Sequence, residues 1–155
     1  MHTIEKSSDY ALLLKQVSAL IETETDELAN MANISSFIYH QIEGLNWVGF
    51  YLLKDQQLVL GPFNGLPACT RIDLNHGVCG TSAYLKQALN VADVHQFKGH
   101  IACDSASLSE CVVPYIIHDS VIAVFDVDSP LLNRFDLELQ RFLEDVVSLL
   151  KQKRT

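Results

Sequence analysis

At 155 residues, 48% of them hydrophobic and 19% charged, the chain has the length and composition of one globular domain, able to bury roughly two-thirds of its unfolded surface in a single core. Its net charge of -8 and pI near 5.0 argue against a phosphate-backbone partner, which needs clustered Lys and Arg, so no nucleic acid is expected. No apolar run approaches the roughly 20 residues of a membrane span, and Met1 to Tyr10 is polar, so no membrane partner is expected and the compartment is read as cytoplasmic.

Tyr10, Leu13, Leu14, Val17, Leu20 and Ile21 recur at helical spacing and predict an amphipathic helix with Ser7 or Ser8 as its cap. A second helix is predicted from an N-cap at Thr25 to about Ile42, turning Leu28, Met31, Ala32, Ser35 and Ile38 inward, with Gly44 and Asn46 ending it. Trp47 to Leu53 and Gln57 to Gly61 read as a hairpin across Lys54-Asp55-Gln56. Gly61 to Ala68 carries Pro62, Gly65 and Pro67 and reads as a loop, followed by a short strand from Thr70 to Leu74. Gly77-Val-Cys-Gly80 reads as a turn feeding a helix from Thr81 to about Leu89, with Val91 to Val94 as another short strand. Cys111 to Ile117 and Ser120 to Val127 form a second hairpin across His118-Asp119, and Asp136 caps a last helix bearing Leu139, Phe142, Leu143, Val146, Leu149 and Leu150. Helices at both ends around hairpins give an α+β domain with helices packed on an antiparallel sheet.

Four cysteines, Cys69, Cys79, Cys103 and Cys111, could pair in three ways, but a chain with a full core needs no such staples. There is no CxxC, so zinc lacks its usual spacing and redox or nucleophilic chemistry becomes the sharper hypothesis. Cys103 lies in the small, polar run from Gly99 to Glu110, beside His100 and Asp104. An imidazolium or loop amides there would favour its thiolate and Asp104 would oppose it, while a buried cysteine is also an ordinary small hydrophobe. Asp126 and Asp128 alternate on one face of a strand with Ile122 and Val124. Either they face a cavity holding a cation, a metal or water, or the strand has frayed into a solvated turn before Ser129-Pro130. Trp47 and Tyr51 share a strand face and fit a pocket wall or plain core. Glu110 is an edge charge or faces the same space as Cys103, Cys111 beside it alternates into the core, and His95 and His100 read as hydrogen-bonded structural residues.

With these positions fixed, a pattern stands out: Pro67-Ala-Cys69-Thr-Arg-Ile72, Gly77-Val-Cys79-Gly-Thr81, Asp93-Val-His95, Gly99-His-Ile-Ala-Cys-Asp104, Ser109-Glu110 and Asp126-Val-Asp-Ser129. It resembles the free methionine-(R)-sulfoxide reductases, which are single GAF domains. The likeness runs from Asn46-Trp47-Val-Gly-Phe-Tyr51 to the last helix, and the cysteine spacings of 10 and 24 residues fit. Departures at Cys111, Asn75-His76 and Ala123 touch none of the expected chemistry. The resemblance implies a single GAF domain over residues 1–155, a six-stranded antiparallel sheet with the N- and C-terminal helices on one face and a ligand pocket on the other. It also implies a reaction without cofactor or metal. Cys103, with Cys79 in the same motif as the other candidate for the attacking thiol, would attack the sulfoxide sulfur of free L-methionine-(R)-S-oxide and become a sulfenic acid. Cys69 would then form a disulfide with it, Cys79 being the alternative resolving thiol, and a thioredoxin-type dithiol would restore the enzyme. Trp47 and Tyr51 would box the sulfoxide methyl, and Glu110, Asp126 and Asp128 would face the polar end and assist protonation of the oxygen. GAF relatives often dimerise through their terminal helices, so a second copy is a further expected partner. The alternative reading is a GAF module that binds a small molecule or senses redox state without turnover.

Overall fold

The computed structural model describes residues 8–99 and 105–154. Helix α1 (Tyr10–Leu20) starts at Asp9, whose side chain accepts from Leu12 N at 3.1 Å, so Asp9 rather than Ser8 is the cap; Ser7 lies outside the described residues. Leu13, Val17 and Ile21 turn inward, while Leu20 is exposed. Helix α2 (Glu27–Gln41) is capped by Asp26, one residue after Thr25, through a 2.9 Å bond from Ala29 N. Its buried stripe is Met31, Ile34, Ser35 and Ile38. Leu28 and Ala32, expected inside, face solvent, because Glu27 takes the inward position of the first turn. There Glu27 Oε2 accepts from Tyr115 OH at 2.7 Å and from Arg154 Nε at 2.8 Å, which ties α2 to the sheet and to the C-terminal end of the last helix.

Six strands, β1 (Trp47–Lys54), β2 (Gln57–Gly65), β3 (Arg71–Asp73), β4 (Leu89–Val91), β5 (Ser109–Ile117) and β6 (Ser120–Ser129), form one antiparallel sheet in the order β3-β2-β1-β6-β5-β4. Both hairpins close through two residues at positive φ, Asp55-Gln56 and His118-Asp119, whose twist matches that of the flanking strands.

Two β-bulges correct the sequence reading. β2 runs on through Pro62 and Phe63, which had read as loop. Gly49 pairs with Phe63 and Tyr51 with Leu60, so Phe50 is opposed by both Gly61 and Pro62, and the proline sits where no ladder donor is needed. On β6, Tyr115 pairs with Ala123 and Ile116 with Val121, which leaves Ile122 as the extra residue. The parity changes there, so Val121 rather than Ile122 shares a face with Val124 and Asp126. Two further boundaries move. Gly77-Val-Cys-Gly80 is the first turn of helix α3 (Gly77–Leu85), which ends at Lys86 in the left-handed region, and not a separate turn. The strand expected over Val91 to Val94 is β4 three residues earlier at its end, because Asp93 accepts from His95 N and starts a 3-10 turn over Val94–Gln96.

Helix α4 (Leu137–Gln152), capped by Asp136 as expected, packs with α1 and α2 on one sheet face. The core there is built from Val17, Ile34, Phe142 and Val146 against Val48, Phe50, Phe125 and Val127, with Phe50 and Phe125 stacked at 4.5 Å between centroids. The opposite face carries a second cluster, Trp47, Tyr51, Leu58, Val112 and Val124, covered by α3 through Val78, Cys79 and Ala83. Among the described residues no helix is long and apolar enough to cross a membrane.

Cys111 is fully buried in the helix-side core, and burial pushes its thiol up to about 12, so it behaves as a small apolar side chain. Cys111→Val should change stability by less than about 1.5 kcal/mol, the usual range for a near-isosteric core swap, and leave function intact. Denaturant unfolding checks this, and a loss well beyond that range would show that the site cannot take a β-branched side chain.

Candidate active site

The β5-β6 register builds the site. On the face away from α1, α2 and α4, Glu110 lies directly opposite Asp128, while Asp126 lies between Val112 on β5 and Gly49 on β1. All three carboxyl groups are buried, at 8%, 8% and 5% exposure for Glu110, Asp128 and Asp126. The strand has therefore not frayed: β6 continues to Ser129, and its two aspartates point into the fold. Like charges opposed across a ladder destabilise it, and buried charge without a counterion costs several kcal/mol. Burial shifts Glu110 and Asp126 toward the acid form. Burial first, and the neighbouring Asp126 second, raise the Glu110 carboxyl well above the usual range; burial and then Asp128 do the same for Asp126. Asp126 Oδ1 still has no hydrogen-bond partner among the described residues.

Helix α3 brings a thiol to this cluster. Gly77 at φ +64 turns the chain into the helix, and Gly80 passes so close to Asp73 that a Cβ would lie 2.3 Å from its carbonyl oxygen. Cys79 between them is buried and donates to Glu110 Oε2 at 3.8 Å. Ligating atoms of Cys79, Glu110 and Asp126 all lie within 4.8 Å of one another. Burial, followed by the nearby carboxyl groups of Asp126, Glu110 and Asp128, raises the Cys79 thiol well above its usual range, so it is a thiol rather than a thiolate.

An aromatic wall stands beside the carboxyl groups. Trp47 stacks between Tyr51 at 5.8 Å and Phe63 at 5.2 Å, with interplanar angles of 22° and 14°. Gly49 makes room for it, since a Cβ there would meet Trp47 Cη2 at 2.8 Å and Phe63 Cβ at 2.4 Å. Both polar tips are satisfied by the chain leading to Cys69: Trp47 Nε1 donates to Leu66 O at 3.1 Å and Tyr51 OH to Cys69 O at 2.9 Å. Burial, then Asp126, raises the Tyr51 phenol, which stays protonated. Cys69 is half-buried and disulfide-bonded, whereas Cys79 and Cys111 carry free thiols.

Of the positions singled out from sequence, Trp47, Tyr51, Cys79, Glu110, Asp126 and Asp128 come together on one sheet face, and Tyr51 links them to Cys69. Cys103, His100 and Asp104 lie outside the described residues. The chain on either side of them is anchored at the site: Gly99 O accepts from Gly77 N at 3.1 Å, and Ser107 Oγ accepts from Asn46 Nδ2 at 3.1 Å next to the start of β1. His95 is exposed in the 3-10 turn. Phe63 is the residue sequence reasoning missed. Its signal was the Leu-Val-Leu-Gly-Pro-Phe run, an apolar strand pattern that resumes once one residue is allowed for a bulge.

A GAF domain model matches residues 16–152. The chain is 47% identical over 150 residues to protein YtsP of Bacillus subtilis, covering 96% of this chain and 92% of that one. It is 44% identical over 149 residues to the free methionine-R-sulfoxide reductase of Escherichia coli, covering 96% and 90%. The reduced form of Staphylococcus aureus fRMsr superposes with a TM-score of 0.93 at 45% identity over 100% of both chains, and that protein is also solved in complex with substrate.

Glu110 and Asp126 hold their protons more tightly in the folded chain than in the unfolded one. Their stabilising effect is complete below the unfolded carboxylate range and is lost as pH rises through the folded values. Asp126→Asn keeps the shape and removes a charge that must otherwise be suppressed. It should raise the melting temperature of the ligand-free protein, by more at about pH 8 than at about pH 5. An equal or lower melting temperature at both values would show that the Asp126 carboxylate is compensated in the free protein.

Proposed function

The chain belongs to the free methionine-R-sulfoxide reductase family of GAF domains, and on that premise we propose that it reduces free L-methionine-(R)-S-oxide to L-methionine by thiol chemistry. The observation that carries this reading is the pairing of a buried, cation-starved carboxyl cluster with an aromatic wall on one sheet face. A free amino acid offers an ammonium group to Glu110, Asp126 and Asp128, and its S-methyl group fits against Trp47 and Tyr51. A methionine sulfoxide inside a peptide has lost the ammonium charge and carries chain on both sides, so it would leave the carboxyl groups uncompensated.

Cys103 attacks the sulfoxide sulfur as thiolate. The oxygen takes a proton from the carboxyl cluster, where burial favours the acid form of Glu110 and Asp126, and ends on Cys103 as a sulfenic acid while methionine leaves as the thioether. Cys69 condenses with the sulfenic acid, releasing water and leaving a disulfide, and a thioredoxin-type dithiol reduces that disulfide. A disulfide at Cys69, on a half-buried segment a protein reductant can reach, supports this order. The buried, protonated state of Cys79 speaks against it as the attacking group and makes it part of the pocket floor. A second copy packed on the terminal helices is the partner expected of the assembled enzyme, and the cytoplasm, where such dithiols are kept reduced, is the compartment the chemistry suits.

The test is a thioredoxin-coupled assay with the free (R)-sulfoxide, its (S) epimer and N-acetyl-methionine sulfoxide. Cys103→Ser should abolish turnover, and Cys69→Ser should release one methionine per enzyme and stall. The N-acetyl substrate should lose at least about 100-fold in kcat/KM. Binding of the free sulfoxide without turnover would favour the sensing module instead. Comparable turnover of free and N-acetylated substrate would overturn the ammonium role.

A further inference from the structure

Cys79 takes no step in the reaction above, yet its thiol is buried against the two carboxyl groups of Glu110 and Asp126. An ammonium ion gains from the carboxylates but almost nothing from a thiol, which is a weak acceptor. A thiol with two carboxylates is instead a donor set for a borderline divalent cation. Zinc takes sulfur and oxygen together in a tetrahedron and is held at open sites by three protein ligands, whereas magnesium and calcium need six or more oxygens. The three donors lie within 4.8 Å of one another. Tetrahedral zinc separates such atoms by roughly 3.5 Å, so side-chain adjustments of about an ångström close the set. Asp126 is 5% exposed, and its unpartnered Oδ1 supplies an independent sign that the cluster lacks a ligand.

We propose that Cys79 Sγ and carboxylate oxygens of Glu110 and Asp126 form a binding site for a zinc-type divalent cation, and that the bound ion shuts the substrate pocket. Coordination breaks the Cys79 S–H bond and forms an Sγ–metal bond. The thiol proton, and any proton on the two carboxyl groups, passes to solvent, and no oxidation state changes. The ion takes the carboxylates that the substrate ammonium needs, so the two exclude each other; this exclusion rests on the reductase reading, while metal binding itself does not.

Cobalt(II) serves as the spectroscopic probe and zinc as the competitor. The reduced Cys69→Ser/Cys103→Ser/Cys111→Val variant keeps Cys79 as its single thiol. It should bind one cobalt per chain with a thiolate-to-cobalt charge-transfer band, which zinc abolishes and magnesium does not. Adding Cys79→Ala should remove the band and weaken zinc binding by about 100-fold or more, since loss of a ligand costs at least what loss of its supporting partner costs. Asp126→Asn should weaken it as well. If the triple variant does not fold, the same titration of Cys111→Val protein with and without Cys79→Ala decides the matter. Absence of the band in folded protein that keeps Cys79, or its survival in Cys79→Ala, overturns the site. Displacement of cobalt by free methionine supports the exclusion. If cobalt binds and methionine fails to displace it, the exclusion falls and the metal site stands.

Discussion

The burial of three carboxyl groups on one face of the β5-β6 pair is the constraint on which the site depends. Glu110 opposes Asp128 across the ladder and Asp126 sits one position along the same face. In water such groups would ionise near their ordinary values, but inside this fold burial shifts Glu110 and Asp126 toward the acid form. The native state thus stores an unfavourable arrangement that a cation can relieve. On the proposed function, stability and activity pull in opposite directions at these positions, which is the usual situation where a site must bind charge.

The scaffold is arranged to make that tolerable. Two layers of core hold the central strands: Phe50, Phe125 and Val127 against the terminal helices, and Trp47, Tyr51, Val112 and Val124 against α3. With its neighbours fixed on both faces, β6 cannot fray to release its aspartates into water. Gly49 is the enabling small residue on β1, because it lets the Trp47 indole lie across the sheet beside Asp126. Gly77 and Gly80 do the corresponding job for α3, turning it close enough for Cys79 to reach Glu110. The disulfide-bonded segment at Cys69 is then tied to the same wall through Tyr51 OH.

Element types and their order were legible from hydrophobic period and turn residues, and the last helix was legible down to its Asp136 cap. Caps at the first two helices slipped by one or two residues because Ser8, Asp9, Thr25 and Asp26 are all competent acceptors, and only the backbone path chooses among them. Bulges were the deeper failure. A single inserted residue at Gly61-Pro62 hid the end of β2 and with it Phe63, and another at Ile122 reversed the face of its strand, because a period of two has no tolerance for an extra residue. Trp47, Tyr51, Cys79, Glu110, Asp126 and Asp128, all singled out from the sequence, lie together on one face, and the family pattern had gathered them. What the sequence could not decide was whether Asp126 and Asp128 faced a cavity or solvent, since that depends on whether the pairing of β5 with β6 outlasts the apolar run.

The claim that matters most is that the buried cluster trades protons for a cationic ligand. Calorimetric titration of the protein with free methionine, in buffers of different ionisation enthalpy, reads this directly. Binding should release about one proton per methionine, because the ammonium group lets a suppressed carboxyl ionise, and N-acetylmethionine should not bind measurably. Methionine binding without proton release, or equal binding of the N-acetyl form, would contradict the account.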